Sequence, residues 1–309
     1  MTFTFRPAVR ENVSLIIGLV GSTGSGKTYT GMRLASGIAS DKPFCVIDTE
    51  AGRAKHYADM FKFDHGDLTP PFTPERYAEA IKAADDAGYP VIMVDSFSHE
   101  WAGEGGCLDM QEEEFKRMGY NEKVKLLSWQ KPKGEHTRMV SRLLQTRAHL
   151  IICLRAEEKI DMVKNRETGK MEVVPKVGPA GFRGWLPICE KNLPFEFTVS
   201  LLMLADAPGY PHAIKLQEQH KPFFPLERPI SEESGKRIAE WASGTKPVAL
   251  NTITMNQALD LETLCKDNGI PVENLMHAAE VQRLQDIPAA AHARALKWVD
   301  AAIAKRQQT

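Results

Sequence analysis

The stretch SLIIGLVGSTGSGKT, residues 14–28, decides the fold. Its first half, Ser14 to Val20, is a short apolar run rich in β-branched residues and reads as a buried strand. The run stops at Gly21-Ser22-Thr23-Gly24-Ser25-Gly26-Lys27-Thr28, which fits the pattern GxxxxGK[ST] in full, and the helix-compatible KTYTGMRLASGIA follows. Strand, glycine loop and helix form the context in which this pattern holds a phosphate chain. The glycines let the backbone turn tightly and aim successive N–H groups at a β-phosphate, and the helix N-terminus adds its dipole. Lys27 is placed to reach the β and γ oxygens and the Thr28 hydroxyl to ligate a cation, so these eight residues are expected to take ATP with Mg²⁺.

Outward from the loop, the pattern repeats. FCVID (44–48) is a second strand, PERYAEAIKAADDAG (74–88) a helix with Pro74 in its first turn, and PVIMVDS (90–96) a third strand. EHTRMVSRLLQTR (135–147) spaces Met139, Val140, Leu143 and Leu144 as a helix does, and HLIICLR (149–155) is a fourth strand. Strands alternating with helices predict an α/β fold with right-handed crossovers and a mostly parallel sheet. KIDMVKN and KMEVVPKV then flank a turn at RETG, and FEFTVSLLMLA (195–205) pairs with HAIKLQ from His212, so an antiparallel extension is expected. The helix SEESGKRIAEWA ends at SGTKPVA (243–249), whose small residues and proline read as a linker. The predicted organisation is an ATP-binding domain over residues 1–243 and a small helical C-terminal module over 250–309.

Two acidic positions bear on chemistry. Asp95 ends the strand VIMVD, and a strand C-terminus at the switch point of an open α/β sheet projects into the same crevice as the loop, so Asp95 is the expected second Mg²⁺ ligand beside Thr28. Hydrolysis also needs a group that orients or deprotonates water. Glu50, in CVIDTE, and Glu100, in DSFSHE, compete for that role.

Composition bounds the rest. In 309 residues, Lys+Arg number 39 against Asp+Glu 40, a net charge of -1, so contact with nucleic acid must rest on a local basic surface. The five cysteines are scattered without CxxC spacing and read as reduced thiols of a cytoplasmic protein. No apolar run approaches the roughly 18 residues of a membrane span, and the start MTFTFRPAVRENVS lacks the pattern of a secretory signal, so no membrane association is expected.

IDTEAGRAKHYAD, DSFSHEWAGEGG, RAHLIICLRAEEKIDMV and IKLQEQHKPFFPL resemble a family of phage-encoded RecA-like P-loop ATPases, some classed as short recombinase-like single-strand annealing proteins. The resemblance spans residues 14 to about 242. It implies that Gly21, Gly24, Gly26, Lys27 and Thr28 hold phosphate and Mg²⁺, that Asp95 holds Mg²⁺, and that Glu50 activates water, with Glu100 second. Arg155, ending the fourth strand, stands where relatives place a polar sensor of the γ-phosphate, usually Gln, Asn or His; a salt bridge to Glu157 or Glu158 is the alternative. ATP in such proteins lies at a subunit interface, which implies a homo-oligomer with Lys215 and Lys221 as candidates to complete a neighbour's site.

Residues 115–147 carry Lys116, Arg117, Lys123, Lys125, Lys131, Lys133, Arg138, Arg142 and Arg147 against only Glu122 and Glu135, whereas residues 98–114 carry six acids and no Lys or Arg. With Tyr120 and Trp129 interleaved, the basic stretch is a candidate surface for single-stranded DNA, and pairing with the acidic stretch is the plainer account. The hairpin over 159–177 has nearly balanced charge. Trp101, Trp185 and Trp241 are expected as packing anchors, and the spacing of His56, His65 and His99 fits no metal pattern. These readings predict a Mg²⁺-dependent ATPase that acts on single-stranded DNA in phage recombination by annealing or strand pairing, with a single-stranded-DNA-binding protein or another recombination protein as partner. The alternative is an ATP-dependent switch or adaptor in replication or packaging.

Overall fold

The computed structural model describes residues 5, 8–10, 13–165, 169–244, 253, 255–279, 281 and 283–306. They divide into two compact units, 1–244 and 245–309. The turn expected at RETG and most of the linker expected at 243–249 lie outside the described residues.

The first unit runs β1 (Ile16–Gly21), α1 (Lys27–Ala39), β2 (Phe44–Asp48), β3 (Phe63–Asp67), α2 (Pro74–Asp86), β4 (Val91–Asp95), α3 (Ser98–Ala102), α4 (Cys107–Arg117), α5 (Gln130–Leu143) and β5 (His149–Glu158). It continues through β6 (Ile160–Lys164), β7 (Met171–Pro175), β8 (Trp185–Pro187), α6 (Leu193–Glu196), β9 (Val199–Met203), β10 (His212–Lys215) and α7 (Glu232–Ala242). The main sheet is ordered β10-β9-β1-β5-β4-β2-β3, parallel except for β10, with β8 antiparallel on the end of β5. The expected α/β fold with an antiparallel extension is therefore present. β6 and β7 pair only with each other.

β1, β2, β4 and the first half of β5 are apolar and buried because helices cover both faces, which separates the core into two layers. On one face α1 packs against α7 at close range. A side chain at Gly37 or Gly235 would collide with the backbone of the other helix, and Arg33 clasps Glu232 at 2.7 Å across the contact. On the other face, Thr73 caps α2 by accepting the Arg76 N–H at 3.4 Å, with Pro74 at the first position where no N–H is needed.

Two expectations need correction. β3, FDHGD, had no apolar run to announce it; it sits at the sheet edge with only β2 beside it, where Asp64 and Asp67 stay exposed. HLIICLR is consequently the fifth strand, and it continues to Glu158. The helix expected over 135–147 begins earlier, at Gln130.

The second unit contains α8 (Met255–Asp267), α9 (Val272–Ala278) and α10 (His292–Arg306). Leu261, Cys265, Leu275, Ile287 and Val299 form its own buried core. Among the described residues no helix is long and apolar enough to cross a membrane.

Candidate nucleotide site

β1 delivers the glycine loop to the carboxyl edge of the sheet, where Gly21 lies level with Arg155 on β5 and with Met203 on β9. A Cβ at Gly21 would collide with the Met203 carbonyl and Ser25 Oγ, so only glycine fits there. Gly24 and Gly26 adopt φ of 79° and 81°, the left-handed region that turns the chain into α1. No side chain caps α1, which leaves its first-turn N–H groups before Thr30, whose own N–H donates to the Gly26 carbonyl at 2.9 Å, available to a ligand. Ser25 is buried and braces the loop by donating from Oγ to the Ser22 carbonyl at 2.8 Å.

Lys27 folds over this loop, its Nζ donating to the carbonyls of Gly21 (2.9 Å) and Ser22 (2.8 Å). Burial lowers its pKa from the ordinary lysine value. Beside it, the Thr28 hydroxyl donates to Asp95 Oδ2 at 2.5 Å. Asp95 is buried at the end of β4, and burial pushes its carboxyl up to about 6 against the opposing pull of the Thr28 hydrogen bond. A cation at this carboxylate would offset the cost of burying its charge. The donor set, one hydroxyl and one carboxylate beneath a glycine cradle, fits Mg²⁺ with a nucleotide triphosphate.

Glu50 follows β2 and is held from two sides. Its Oε1 accepts from Arg155 Nη2 (2.6 Å) and Nε (3.0 Å), and its Oε2 accepts from Arg53 Nη1 (2.6 Å). Burial pushes the Glu50 carboxyl up, but the two guanidiniums prevail and its pKa ends below the usual value. The salt bridge weighed for Arg155 thus exists with a different partner: Glu50, 105 positions away, and not Glu157, which takes Lys159 at 2.6 Å. Ser98 Oγ accepts the Arg155 N–H at 2.9 Å and fixes that end of β5.

Asp48 positions the Glu50 loop. Buried at the end of β2, it accepts the Glu50 N–H on Oδ1 (2.6 Å) and the Ala54 N–H on Oδ2 (2.9 Å), where His65 Nε2 also lies at 3.1 Å. Thr49 ties β2 to β4 by donating from Oγ1 to the Ser96 carbonyl at 2.9 Å and accepting the Ser96 N–H at 2.8 Å. Sequence reading did not single out Asp48, Thr49 or Arg53. The acid two residues before Glu50 was the available signal for the first.

Together these groups line a cleft of about 600 Å³ that includes Thr23, Gly24, Gly26, Lys27, Thr28, Glu50, Asp95 and Arg155. Ser22 and Ser25 support its loop, with Tyr29, Arg53, His56 and Tyr57 completing the wall. Glu100 is not in it. It is fully buried behind the cleft, where Oε1 meets His136 Nδ1 at 2.9 Å and the Cys107 thiol at 3.3 Å. The runner-up for water activation therefore has no access to a phosphate chain in the cleft.

Lys215 donates to the Phe195 (2.9 Å) and Phe197 (2.5 Å) carbonyls, and Lys221 to Glu218 at 2.5 Å, so both ammoniums suggested for a neighbour's site are engaged within their own chain. Much of the basic stretch is paired as well: Arg117 and Lys131 with Glu114, Lys125 with Glu122, Arg142 with Glu75 and Arg147 with Asp85. Among the described residues, Lys116, Lys123, Lys133 and Arg138 remain exposed without a carboxylate partner. Lys133 lies over the Trp129 ring at 5.8 Å, and Trp129 stacks on Trp101 at 5.6 Å and 16°.

A family model described as an AAA domain matches residues 14–183. No curated protein matches the chain.

Proposed function

Because the chain belongs to the AAA domain family, which consists of P-loop ATPases, we propose that it hydrolyses ATP with Mg²⁺ and acts on single-stranded DNA in phage recombination, as a homo-oligomer that anneals or pairs strands. The observation that carries the hydrolytic part is the convergence, in one cleft, of Lys27, the Thr28–Asp95 pair and Glu50 clamped by Arg155.

In this reading the first-turn N–H groups of α1 and Lys27 bind the phosphates, and Thr28 and Asp95 hold the cation. Mg²⁺, when bound, neutralises charge on the β- and γ-oxygens. Glu50 takes a proton from the attacking water, which requires one carboxylate oxygen to be released from a guanidinium. Arg53 is 70% exposed against 46% for Arg155, so Oε2 is the oxygen freed at the smaller cost. Arg155, turning from Glu50 toward the γ-phosphate, would report the nucleotide state and stabilise developing charge.

The DNA part rests on the four unpaired cations and the Lys133–Trp129–Trp101 stack, a combination that tracks backbone charge and offers a face for bases. The consumption of the other five cations by carboxylates favours a second reading, an ATP-dependent switch or adaptor without DNA activity. ATP turnover measured with and without single-stranded DNA at two salt concentrations separates them. Stimulation that weakens with salt supports the DNA reading, and turnover indifferent to DNA at both salts selects the adaptor.

A further inference from the structure

Behind the nucleotide cleft, three side chains of different chemistry meet without solvent. Glu100 on α3, Cys107 at the start of α4 and His136 within α5 are all buried, at 0%, 0% and 6% exposure. Each offers a ligand atom, and these atoms lie within 4.8 Å of one another; among the described residues this is the group of His, Cys and acidic side chains with that property. Two contacts inside it use the same oxygen, Glu100 Oε1, which lies 2.9 Å from His136 Nδ1 and accepts from Cys107 Sγ at 3.3 Å. The second oxygen, Oε2, is sealed from solvent and has no hydrogen-bond partner. A buried carboxylate oxygen left without a donor is costly, and such atoms mark sites completed by something else.

We propose that Glu100, Cys107 and His136 form a binding site for a tetrahedral divalent cation of the zinc class. The donor set argues for this ion over the hard cation expected at Thr28 and Asp95. Thiolate and imidazole select zinc, whereas magnesium takes oxygen ligands. Carboxylate, thiolate and imidazole around tetrahedral zinc lie about 3.3–3.8 Å apart at the usual bond lengths, so ligand atoms within 4.8 Å need a movement of about 1 Å to close on the ion. Cys107 gives up its thiol proton on binding, and Glu100 Oε2 gains its missing partner. The fourth position falls to water, as in zinc sites with three protein ligands.

The ion would pin together the three helices that follow Asp95. The first residues of α3 also serve the cleft: Ser98 fixes Arg155, and His99 Nδ1 lies 2.8 Å from Thr49 Oγ1. The role is therefore structural support for the wall of the cleft, and the site stands whether or not the chain acts on DNA.

The test uses the full chain with no nucleotide. Zinc is titrated and the retained metal counted after gel filtration, cobalt is substituted for its absorption spectrum, and X-ray absorption at the zinc edge reads the ligand shell. The expected result is one ion per chain, four-coordinate with one sulfur ligand, and a thiolate-to-cobalt charge-transfer band that Cys107→Ser abolishes. Cobalt at Thr28 and Asp95 has no sulfur ligand and cannot give that band. His136→Asn is expected to lower zinc affinity at least tenfold while leaving nucleotide binding in place. Absence of retained zinc, an all-oxygen shell, or a band that survives Cys107→Ser overturns the proposal; the measurements on the unaltered chain decide it even where a variant does not fold.

Discussion

Asp95→Asn should stabilise the metal-free protein while removing its turnover. The carboxyl is buried at the end of β4, and burial pushes its pKa from 3.8 to about 6. Between those values the folded chain holds a proton that the unfolded chain has lost, so stability is full below about 3.8 and is lost as pH rises through about 6. A shift of this size corresponds to about 3 kcal/mol of destabilisation at pH 8, at 1.36 kcal/mol per unit. Asparagine has no charge to desolvate and keeps an oxygen for the Thr28 hydroxyl, so the variant should recover most of that amount. For the first unit, residues 1–244, which holds Asp95, the gain equals roughly 6–12 °C in melting temperature. The assay is thermal unfolding in chelator at pH 8 and pH 4.5, for both proteins, with and without Mg²⁺ and a non-hydrolysable ATP analogue. At pH 8 in chelator the variant should melt higher; near pH 4.5 most of the difference should vanish; with Mg²⁺ and analogue the wild type should gain more. A variant that is no more stable than wild type at pH 8 in chelator would refute the claim that burial of this charge opposes folding and invites a cation.

Glu50→Gln is expected to retain nucleotide binding and lose turnover by roughly 10²–10⁴-fold, whereas Glu100→Gln, if folded, keeps turnover, because only the first carboxylate faces the cleft; a reversed outcome in single-turnover assays would show that the wrong carboxylate has been chosen. Arg155→Ala should cut kcat roughly 10²-fold with a smaller change in nucleotide affinity, and should move the acid limb of the pH–rate profile upward, since the hydrogen bond and charge that draw Glu50's pKa down are removed; an unmoved limb would detach Arg155 from Glu50. Reversing Lys116, Lys123, Lys133 and Arg138 to Glu should weaken single-stranded DNA binding for all sequences and flatten its salt dependence, while reversing the paired Lys125 and Lys131 has less effect; equal effects of the two sets in a binding titration would deny that pairing matters. A chain ending at Gly244 should remain folded and hydrolyse ATP at a similar rate, because the two core layers of the first unit are built wholly from residues before that point; insoluble or inactive product would place residues beyond Gly244 in the folding unit.

What the sequence made legible depended on how local the determining physics is. The glycine loop is a contiguous pattern with one backbone solution, and β1, β2, β4 and β5 are apolar because both of their faces are covered. The edge strand β3 has one neighbour and tolerates Asp64, His65 and Asp67, so no apolar run announces it. Arg155 shows a different limit. From spacing, its nearby partners were Glu157 and Glu158; in the fold, parallel register brings the end of β5 level with the end of β1, and the loop after β2 carries Glu50 to the same crevice. No periodicity in one dimension encodes a pair 105 positions apart.

Glu100 shows how narrow the margin is. Glu50 and Glu100 each follow a buried strand by a few residues and look equivalent in the sequence. After β2 the chain enters an open loop, which Asp48 holds by its backbone N–H groups so that Glu50 stays at the sheet edge. After β4 the chain coils at once into α3, and a helix rotates successive side chains by about 100°. Ser98 and His99 emerge toward β5 and β2, and the next step of rotation carries Glu100 to the opposite side, between α4 and α5. One residue along a helical turn therefore separates a side chain that serves the cleft from one sealed behind it, and that separation gives the two glutamates different surroundings: a carboxylate that lines the cleft between two guanidiniums in the first case, and in the second a fully buried carboxylate beside a thiol and an imidazole.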